Sequence, residues 1–372
     1  MTSPVYDVVI IGGGIVGAAC AAECARAGLR TAIVEAKMIG GGATAAGMGH
    51  LVVMDDSDAQ FALTRYSQNL WDEMRDELPR EVEHDPCGTI WVAADDEEML
   101  AVERKRRFYA ERGVRAEVLD SQSLREAEPN LRDGLVGGLR VASDSVIYPP
   151  CAAQYFVDRA MANGGRVFLD VVGEITRDGV RLRSGSTISA GVIVNSAGSW
   201  SPALTAGLNI KKRKGHLLIT DRYPQFIRHQ LVELGYLKSA HWLTADSVAF
   251  NVQPRKTGQL LIGSSRQYEI DDTAVDASIL TRMLARAMEF LPRLGKLSSL
   301  RAWTGFRAAT PDKLPLIGPD VEHPRLYLAT GHEGLGITTS LATAKLLVDQ
   351  IMNRTSEIPI APYLPSRGLV SV

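Results

Sequence analysis

The run Tyr6-Asp7-Val8-Val9-Ile10-Ile11 passes straight into Gly12-Gly13-Gly14-Ile15-Val16-Gly17, and Glu35 closes the next apolar run, Thr31-Ala32-Ile33-Val34. An apolar stretch cut off by glycine reads as a buried strand, and the small-residue segment after it as a helix from about Ile15 to Ala27, stopped by Gly28. A strand that turns at once into a helix packed upon it restricts the chain to a βαβ unit of an α/β fold. Gly12 permits the tight turn, Gly14 lets the backbone approach a pyrophosphate, and Gly17 lets the helix lie close to the strand. The helix opening at Ile15 and Val16 points its first amides at the phosphates. Glu35 can accept hydrogen bonds from both ribose hydroxyls, and its charge repels an added 2′-phosphate. The pattern is that of the adenosine half of a dinucleotide site, and by itself it leaves NAD and FAD both open.

A chain of 372 residues is long enough for two domains of roughly 150–200 residues each or one large domain with insertions. A formal charge of −2 argues against nucleic acid or an anionic membrane as partner. The one dense basic run, Lys211-Lys212-Arg213-Lys214, reads as a solvated turn between domains. Cys20, Cys24, Cys87 and Cys151 show no CxxC and no zinc-like spacing with histidine, so no metal is expected, and reduced thiols suit a cytoplasmic protein. The first apolar run is interrupted by glycine after six residues, too short for a signal sequence or an integral membrane segment.

Glycine and alanine recur at Gly40-Gly41-Gly42-Ala43-Thr44-Ala45-Ala46-Gly47-Met48-Gly49. With so little side-chain volume, this backbone suits lying against something flat, with Thr44 toward a phosphate and Gly47 to Gly49 beside a ring. Helices are expected at about Asp58–Leu78, Glu97–Arg112, Cys151–Asn163, Ala277–Leu291 and Thr338–Met352. Strands are expected at Gly88–Ala94, Val167–Val172, Gly179–Leu182, Ile188–Ser196 and Leu326–Thr330. Between Lys214 and Ser265 the chain reads as short alternating strands of an antiparallel sheet: His216–Thr220, Val248–Val252 and Gln259–Gly263. The predicted fold is α/β (α+β overall), a Rossmann-like dinucleotide-binding domain with an inserted antiparallel-sheet substrate domain. The first comprises residues 1–82, 145–210 and 312–372, the second 83–144 and 211–311.

Five motifs in order carry a resemblance over essentially the whole chain. They are Gly12–Gly17 with Glu35; Ala43-Thr44-Ala45-Ala46-Gly47-Met48; Val194-Asn195-Ser196-Ala197-Gly198-Ser199-Trp200; Trp303-Thr304-Gly305-Phe306-Arg307, leading to Leu314-Pro315-Leu316-Ile317-Gly318; and Gly331-His332-Glu333-Gly334-Leu335-Gly336. With these the chain resembles the D-amino-acid oxidase, glycine oxidase and sarcosine oxidase superfamily. It is most similar to the amino-acid dehydrogenase members, such as D-hydroxyproline dehydrogenases and the FAD subunits of proline and opine dehydrogenases. The resemblance implies FAD, held by Gly12, Gly14, Ile15, Val16, Gly17, Glu35, Ala43, Thr44, Gly47, Met48, Val172, Ala197, Gly198, Trp200, Gly334, Leu335, Gly336, Ile337 and Thr338. Some relatives attach FAD through a cysteine near the Arg307 segment; no cysteine follows Cys151 here, so a non-covalent cofactor is expected. The turn Gly334-Leu335-Gly336 opens a helix whose positive end suits the anion of a reduced ring.

By the same resemblance Arg307 binds the carboxylate of a small substrate, a task suited to a guanidinium fork. His50, His332 and Tyr236, with Met48 and His241, are the further candidates for the pocket wall. The implied reaction passes the α-hydrogen of an amino acid as hydride to flavin N5 and leaves an imine. The strand Leu260-Leu261-Ile262-Gly263 lacks the lysine with which sarcosine oxidases promote reaction with oxygen, which tilts the reading toward a dehydrogenase. Three alternatives stay open: a 2-hydroxy acid as substrate, a flavin subunit passing electrons to an acceptor protein or partner subunits, and a plain NAD-binding module.

Overall fold

The computed structural model describes residues 5–235 and 246–369. The strand Val5–Ile11 (β1) pairs in parallel with Thr31–Glu35 (β2) on one side and with Thr187–Asn195 on the other. Arg166–Leu169 extends the parallel run beyond β2, and Leu326–Thr330 extends it beyond Thr187–Asn195, with Leu316–Pro319 antiparallel at the edge. The helix Ile15–Arg26 (α1) crosses between β1 and β2, as the opening motif requires. Its buried face is Gly17, Ala18, Ala19, Cys20, Ala21, Cys24 and Ala25, so helices Pro149–Ala162 and Gly336–Ile351 can pack against it. Both thiols are buried, and burial pushes that of Cys24 up to about 12. On the opposite sheet face Val9, Ile11 and Val34 pack with Val172, Val180 and Leu182 from the hairpin Val172–Leu182.

A second sheet has the order Ser299–Ala309, Lys211–Thr220, Leu260–Arg266, Ser247–Pro254, Gln230–Glu233, Thr89–Ala93, Gly137–Val141, Glu117–Asp120. It is antiparallel except where Gln230–Glu233 runs parallel to Thr89–Ala93. That parallel pairing joins two stretches of chain far apart in sequence into one sheet. The helix Ala277–Phe290 covers one side of it through Met283, Ala287 and Phe290, with the Phe290 ring stacked on Phe250 at 4.4 Å. The mixed α/β class read from the sequence is therefore observed.

The basic run differs from its expectation. Lys211–Lys214 is not a solvated turn but the first part of a ten-residue strand, in register with Phe306–Ala309. Strand alternation sends Arg213 to one face and Lys212 and Lys214 to the other. Each finds an acid: Lys212 meets Asp271 and Lys214 meets Asp272, both at 2.9 Å, and Arg213 pairs with Glu333. Charge density gave the appearance of a solvated segment because those acids lie far along the chain.

Candidate active site

Surface helices are capped by their own leading residues: Ser57 accepts from Gln60 N at 3.1 Å, and Asp95 from Glu98 N at 2.8 Å. The helices Ile15–Arg26 and Gly336–Ile351 instead begin after glycine-rich turns with no cap from their leading residues, Gly14 and Leu335. Both open onto one continuous cavity of about 770 Å³ between the two sheets.

At one end of the cavity Gly12 adopts φ +104°, and a Cβ there would lie 2.8 Å from Ser196 O. A Cβ on Gly17 would lie 2.0 Å from Gly12 O, so this glycine serves close packing of helix on turn. Glu35 accepts from Gly13 N at 2.7 Å and from Lys37 N at 2.8 Å, one bond to each carboxylate oxygen. The acid is thereby fixed at the end of β2 while still lining the cavity. Thr44 Oγ accepts from Ile15 N at 3.0 Å, so the Ala43–Met48 segment closes one of the first amides of α1. Asn195 fixes the following turn, donating to Ser201 O and Thr205 Oγ and accepting from Ala197 N at 3.2 Å.

Toward the other end, Gly47 leaves room for Ile337, whose Cδ1 would be 2.7 Å from an added Cβ. The helix Gly336–Ile351 is approached through Glu333 at φ 48° and Gly334 at φ 90°. The backbone of this turn is tied to the second sheet by Glu333 N donating to Ala308 O at 2.9 Å. Above it, Gly215 and Gly305 stand opposite each other in neighbouring strands. A Cβ on Gly305 would collide with that of Ala46 at 2.3 Å, so this pair of glycines lets the sheet approach the Ala43–Met48 segment.

Arg307 reaches over Gly215, where an added Cβ would lie 2.5 Å from Nη1 and 3.0 Å from Cζ. Its Nη1 donates to Ser265 O at 3.0 Å. Ser265 is held in turn by His216: its Oγ accepts from His216 N at 2.9 Å and lies 3.0 Å from His216 Nδ1. His216 Nε2 accepts from Asp276 N at 3.0 Å, which assigns the proton of the neutral ring to Nδ1. Burial, and after it the charge of Lys214, lowers the pKa of His216. The ring therefore acts as a fixed strut behind Ser265 and Arg307.

His332 lines the cavity but turns Nε2 to Thr343 Oγ at 3.0 Å, and burial pushes its pKa down to about 3. His50 also lines the cavity; burial foremost, with the Arg307 charge adding to it, pushes its pKa down to about 4. His50 Nε2 is buried with no hydrogen-bond partner among the described residues. Both rings are neutral at pH 7.

Nearly all the sequence-predicted residues meet here. Gly12, Gly14, Ile15, Val16, Glu35, Ala43, Thr44, Gly47, Met48, Val172, Ala197, Gly198, Trp200, Gly334, Leu335, Gly336, Ile337, His50, His332 and Arg307 all line the cavity. Gly17 and Thr338 are not among the lining residues. Gly17 packs on Gly12 and Ser196, while Thr338 Oγ donates to His50 O at 2.8 Å. Tyr236 and His241 fall outside the described residues. Sequence reasoning gave no site role to Arg213, Arg266, His216, Asn251, Gln230, Trp91 or Glu333, all of which line the cavity. Apart from Glu333, which lies in the turn before the last long helix, their one signal is strand alternation, which becomes usable only when the register between distant strands is known.

An open glycine cradle at a helix start that its own leading residue does not cap, a fixed acid at the next strand end and a second sheet roofing the cavity define a dinucleotide-binding architecture. Comparison makes this specific: the chain belongs to the DAO family of FAD-dependent oxidoreductases, which matches residues 7–350. It is 28% identical to the hydrogen cyanide synthase subunit HcnC of Pseudomonas aeruginosa, over 97% of this chain and 96% of that one. It is 27% identical to the glycine oxidase of Geobacillus kaustophilus, over 99% and 98%. The crystal structure of glycine oxidase from Geobacillus kaustophilus superimposes with TM-score 0.88 at 26% identity, covering 98% of this chain and 99% of that one. L-proline dehydrogenase from P. horikoshii shares the fold, with TM-score 0.87 at 23% identity over 99% and 98%.

FAD is thus the cofactor, and the cavity fits it. The glycines stand where a Cβ would intrude, and Ser199 Oγ is buried at the cavity wall without a hydrogen-bond partner among the described residues. None of the described lining residues is a cysteine. Among the described residues no group of three or more His, Cys, Asp and Glu side chains could hold a metal ion, and no helix is long and apolar enough to cross a membrane.

Proposed function

We propose that this chain oxidises the C–N bond of a small amino acid whose carboxylate is held by Arg307. In this reading residues 1–82, 145–210 and 312–372 hold FAD, and residues 83–144 and 211–311 face the substrate. Gly12, Gly14, Glu35 and Thr44 take the adenosine and pyrophosphate half, while Met48 and the turn Gly334-Leu335-Gly336 take the ring. Bound there, FAD supplies a two-electron acceptor for the α-hydrogen of the substrate.

The observation that carries the reading is the mounting of Arg307. Its guanidinium lies over Gly215, is held by Ser265 O, and reaches the cavity beside Gly334 at the start of the last long helix. A carboxylate gripped by that fork has its adjacent α-carbon placed at the ring end of the cavity, which removes most of the orientational cost of the transfer. His216 and Ser265 keep the fork from swinging. The neutral rings of His50 and His332 add no positive charge to repel a protonated amine as it arrives. The amine must lose its proton before its lone pair can form the C=N bond as the α-hydrogen leaves with its two electrons. The imine then takes up water and gives a keto acid with ammonia or an amine. The names of two relatives, glycine oxidase and a D-amino acid dehydrogenase, support an amino-acid-like substrate.

Anaerobic addition of glycine, sarcosine, D-alanine, D-proline, hydroxyproline and a set of 2-hydroxy acids to the purified yellow protein tests the reading. Bleaching of the flavin by one or more of the amines is expected. Bleaching by hydroxy acids alone would overturn it. Reoxidation by dye faster than by oxygen supports a dehydrogenase passing electrons to a protein acceptor.

A further inference from the structure

The second sheet turns toward the cavity a face with more polarity than the fold needs. Val232 stands in register with Trp91 on one neighbouring strand and with Asn251 on the other, so these three side chains form one row across three strands. Gln230 precedes Val232 by two residues and leaves the same face. All four line the cavity. The residues between them, Leu231, Phe250 and Val252, turn the other way into an apolar core with Met283 and Phe290. Apolar side chains at Gln230 and Asn251 would serve the sheet as well.

The polar ends of this row find nothing to bind in the protein. Trp91 Nε1, Gln230 Oε1 and Asn251 Oδ1 are buried with no hydrogen-bond partner among the described residues, and the three residues are 4%, 3% and 8% exposed. Gln253, two residues beyond Asn251, shows such an amide employed by the fold: its Nε2 donates to Met48 O at 2.6 Å. The wall is also braced. The Lys105 ammonium lies 4.3 Å from the Trp91 ring centre, and Lys105, itself buried, pairs with Asp55. Buried amide and indole groups without partners are destabilising, and a ligand that pairs with them removes that cost. The indole N–H needs an acceptor, and the amide oxygens need donors. A carboxamide or a hydroxyl offers both, whereas an alkyl chain offers neither, a carboxylate only acceptors and an ammonium only donors.

We propose that Trp91, Gln230 and Asn251 form a subsite for a neutral polar side chain, so that the substrate is an amino acid ending in a carboxamide or a hydroxyl and not a plain alkyl amino acid. This rests on the proposed function for placing the carboxylate on Arg307 and the amine at the ring.

The holoprotein is titrated with succinamate and 4-hydroxybutyrate against pentanoate, carboxylates of equal chain length that carry no amine to oxidise, reading the perturbation of flavin absorbance. The same protein is then reduced anaerobically with both enantiomers of asparagine, glutamine and serine against those of 2-aminobutyrate and norvaline. A pair of neutral hydrogen bonds predicts about 5–100-fold tighter binding of the polar ligands and a similar preference in the reduction rate per concentration. Gln230→Met and Asn251→Leu should each bring the polar-to-alkyl ratio down toward one, without lowering the thermal midpoint. Equal binding of the polar and alkyl ligands by wild type, or an unchanged ratio in both variants with the yellow colour retained, overturns the proposal. If neither variant folds, the wild-type ratio decides alone. Preferred binding of the polar carboxylates with no reduction by any amine would sink the C–N reading and leave the polar subsite standing. Reduction by norvaline as fast as by asparagine and glutamine would sink the subsite alone.

Discussion

Gly215→Ala is the most informative single change, because it touches Arg307 without altering any charged group. The backbone there is ordinary strand, so alanine brings no conformational strain. Its methyl would stand 2.5 Å from Arg307 Nη1 and 3.0 Å from both Cζ and Nη2. Ordinary contact begins near 3.5 Å, so the guanidinium must retreat by about 1 Å. A shift of that size separates Nη1 from Ser265 O, now 3.0 Å away, or moves the fork off its carboxylate. Loss of one charge-assisted hydrogen bond costs about 1.5–3 kcal/mol, which is about 10–150-fold in substrate affinity. Steady-state kinetics with a saturating electron acceptor should show that rise in KM, with FAD content retained and a thermal midpoint close to wild type, since the displaced atoms are the far end of a flexible side chain. Gly305→Ala is the contrasting control. Its methyl meets Ala46 Cβ at 2.3 Å, a neighbour fixed to the backbone, so it should lower stability by about 1–3 kcal/mol. A Gly215→Ala protein with wild-type KM for every carboxylate substrate would refute the placement of Arg307.

Glu333→Gln leaves Arg213, 6% exposed, without its carboxylate and should cost up to about 3–5 kcal/mol in chemical unfolding. Adding Arg213→Met to that variant should recover most of the loss; a cost below about 0.5 kcal/mol for Glu333→Gln would show the pair to be solvated. The buried histidines give a pH dependence with a definite sign. His332 and His50 are pushed down to about 3 and about 4, so the unfolded chain takes up protons that the native state refuses. Stability is complete above about pH 6.5 and falls as pH drops toward 4, by up to about 1.4 kcal/mol per pH unit for each ring. Asp144, pushed up to about 7 by burial, works in the opposite direction, losing its contribution as pH rises toward 7. Urea unfolding between about pH 7.5 and 5 should therefore show a flatter profile in His332→Asn than in wild type, and an unchanged profile would count against a buried neutral His332.

What could be read from the sequence was local, and what could not was a matter of register. The turn at Gly12, the acid at Glu35 and the helix from Ile15 follow from neighbours within about thirty residues, and all stand where expected. Ser299–Ala309 was visible as a motif but not as a strand, because Gly305 and Arg307 occupy the cavity face where an apolar alternation would otherwise show. The pairing of Arg213 with Glu333 spans 120 residues, and that of Arg307 with Ser265 spans 42, so neither leaves a trace in local spacing. Thr338 was assigned to the cofactor by membership of a motif, whereas its place on the helix turns it to His50 O. Motif membership says which turn a residue belongs to; only packing says which way it faces.

The measurement closest to the central claim compares amines with and without a carboxylate as anaerobic reductants of the bound flavin. Wild-type protein and Arg307→Gln should be tested side by side with an amino acid that bleaches the flavin and with its decarboxylated amine. A guanidinium that anchors the substrate predicts rapid bleaching by the amino acid in wild type, a loss of about 10–150-fold in Arg307→Gln, and little reaction with the bare amine in either. Equal reduction by the bare amine, or undiminished reduction by the amino acid in Arg307→Gln, would contradict it.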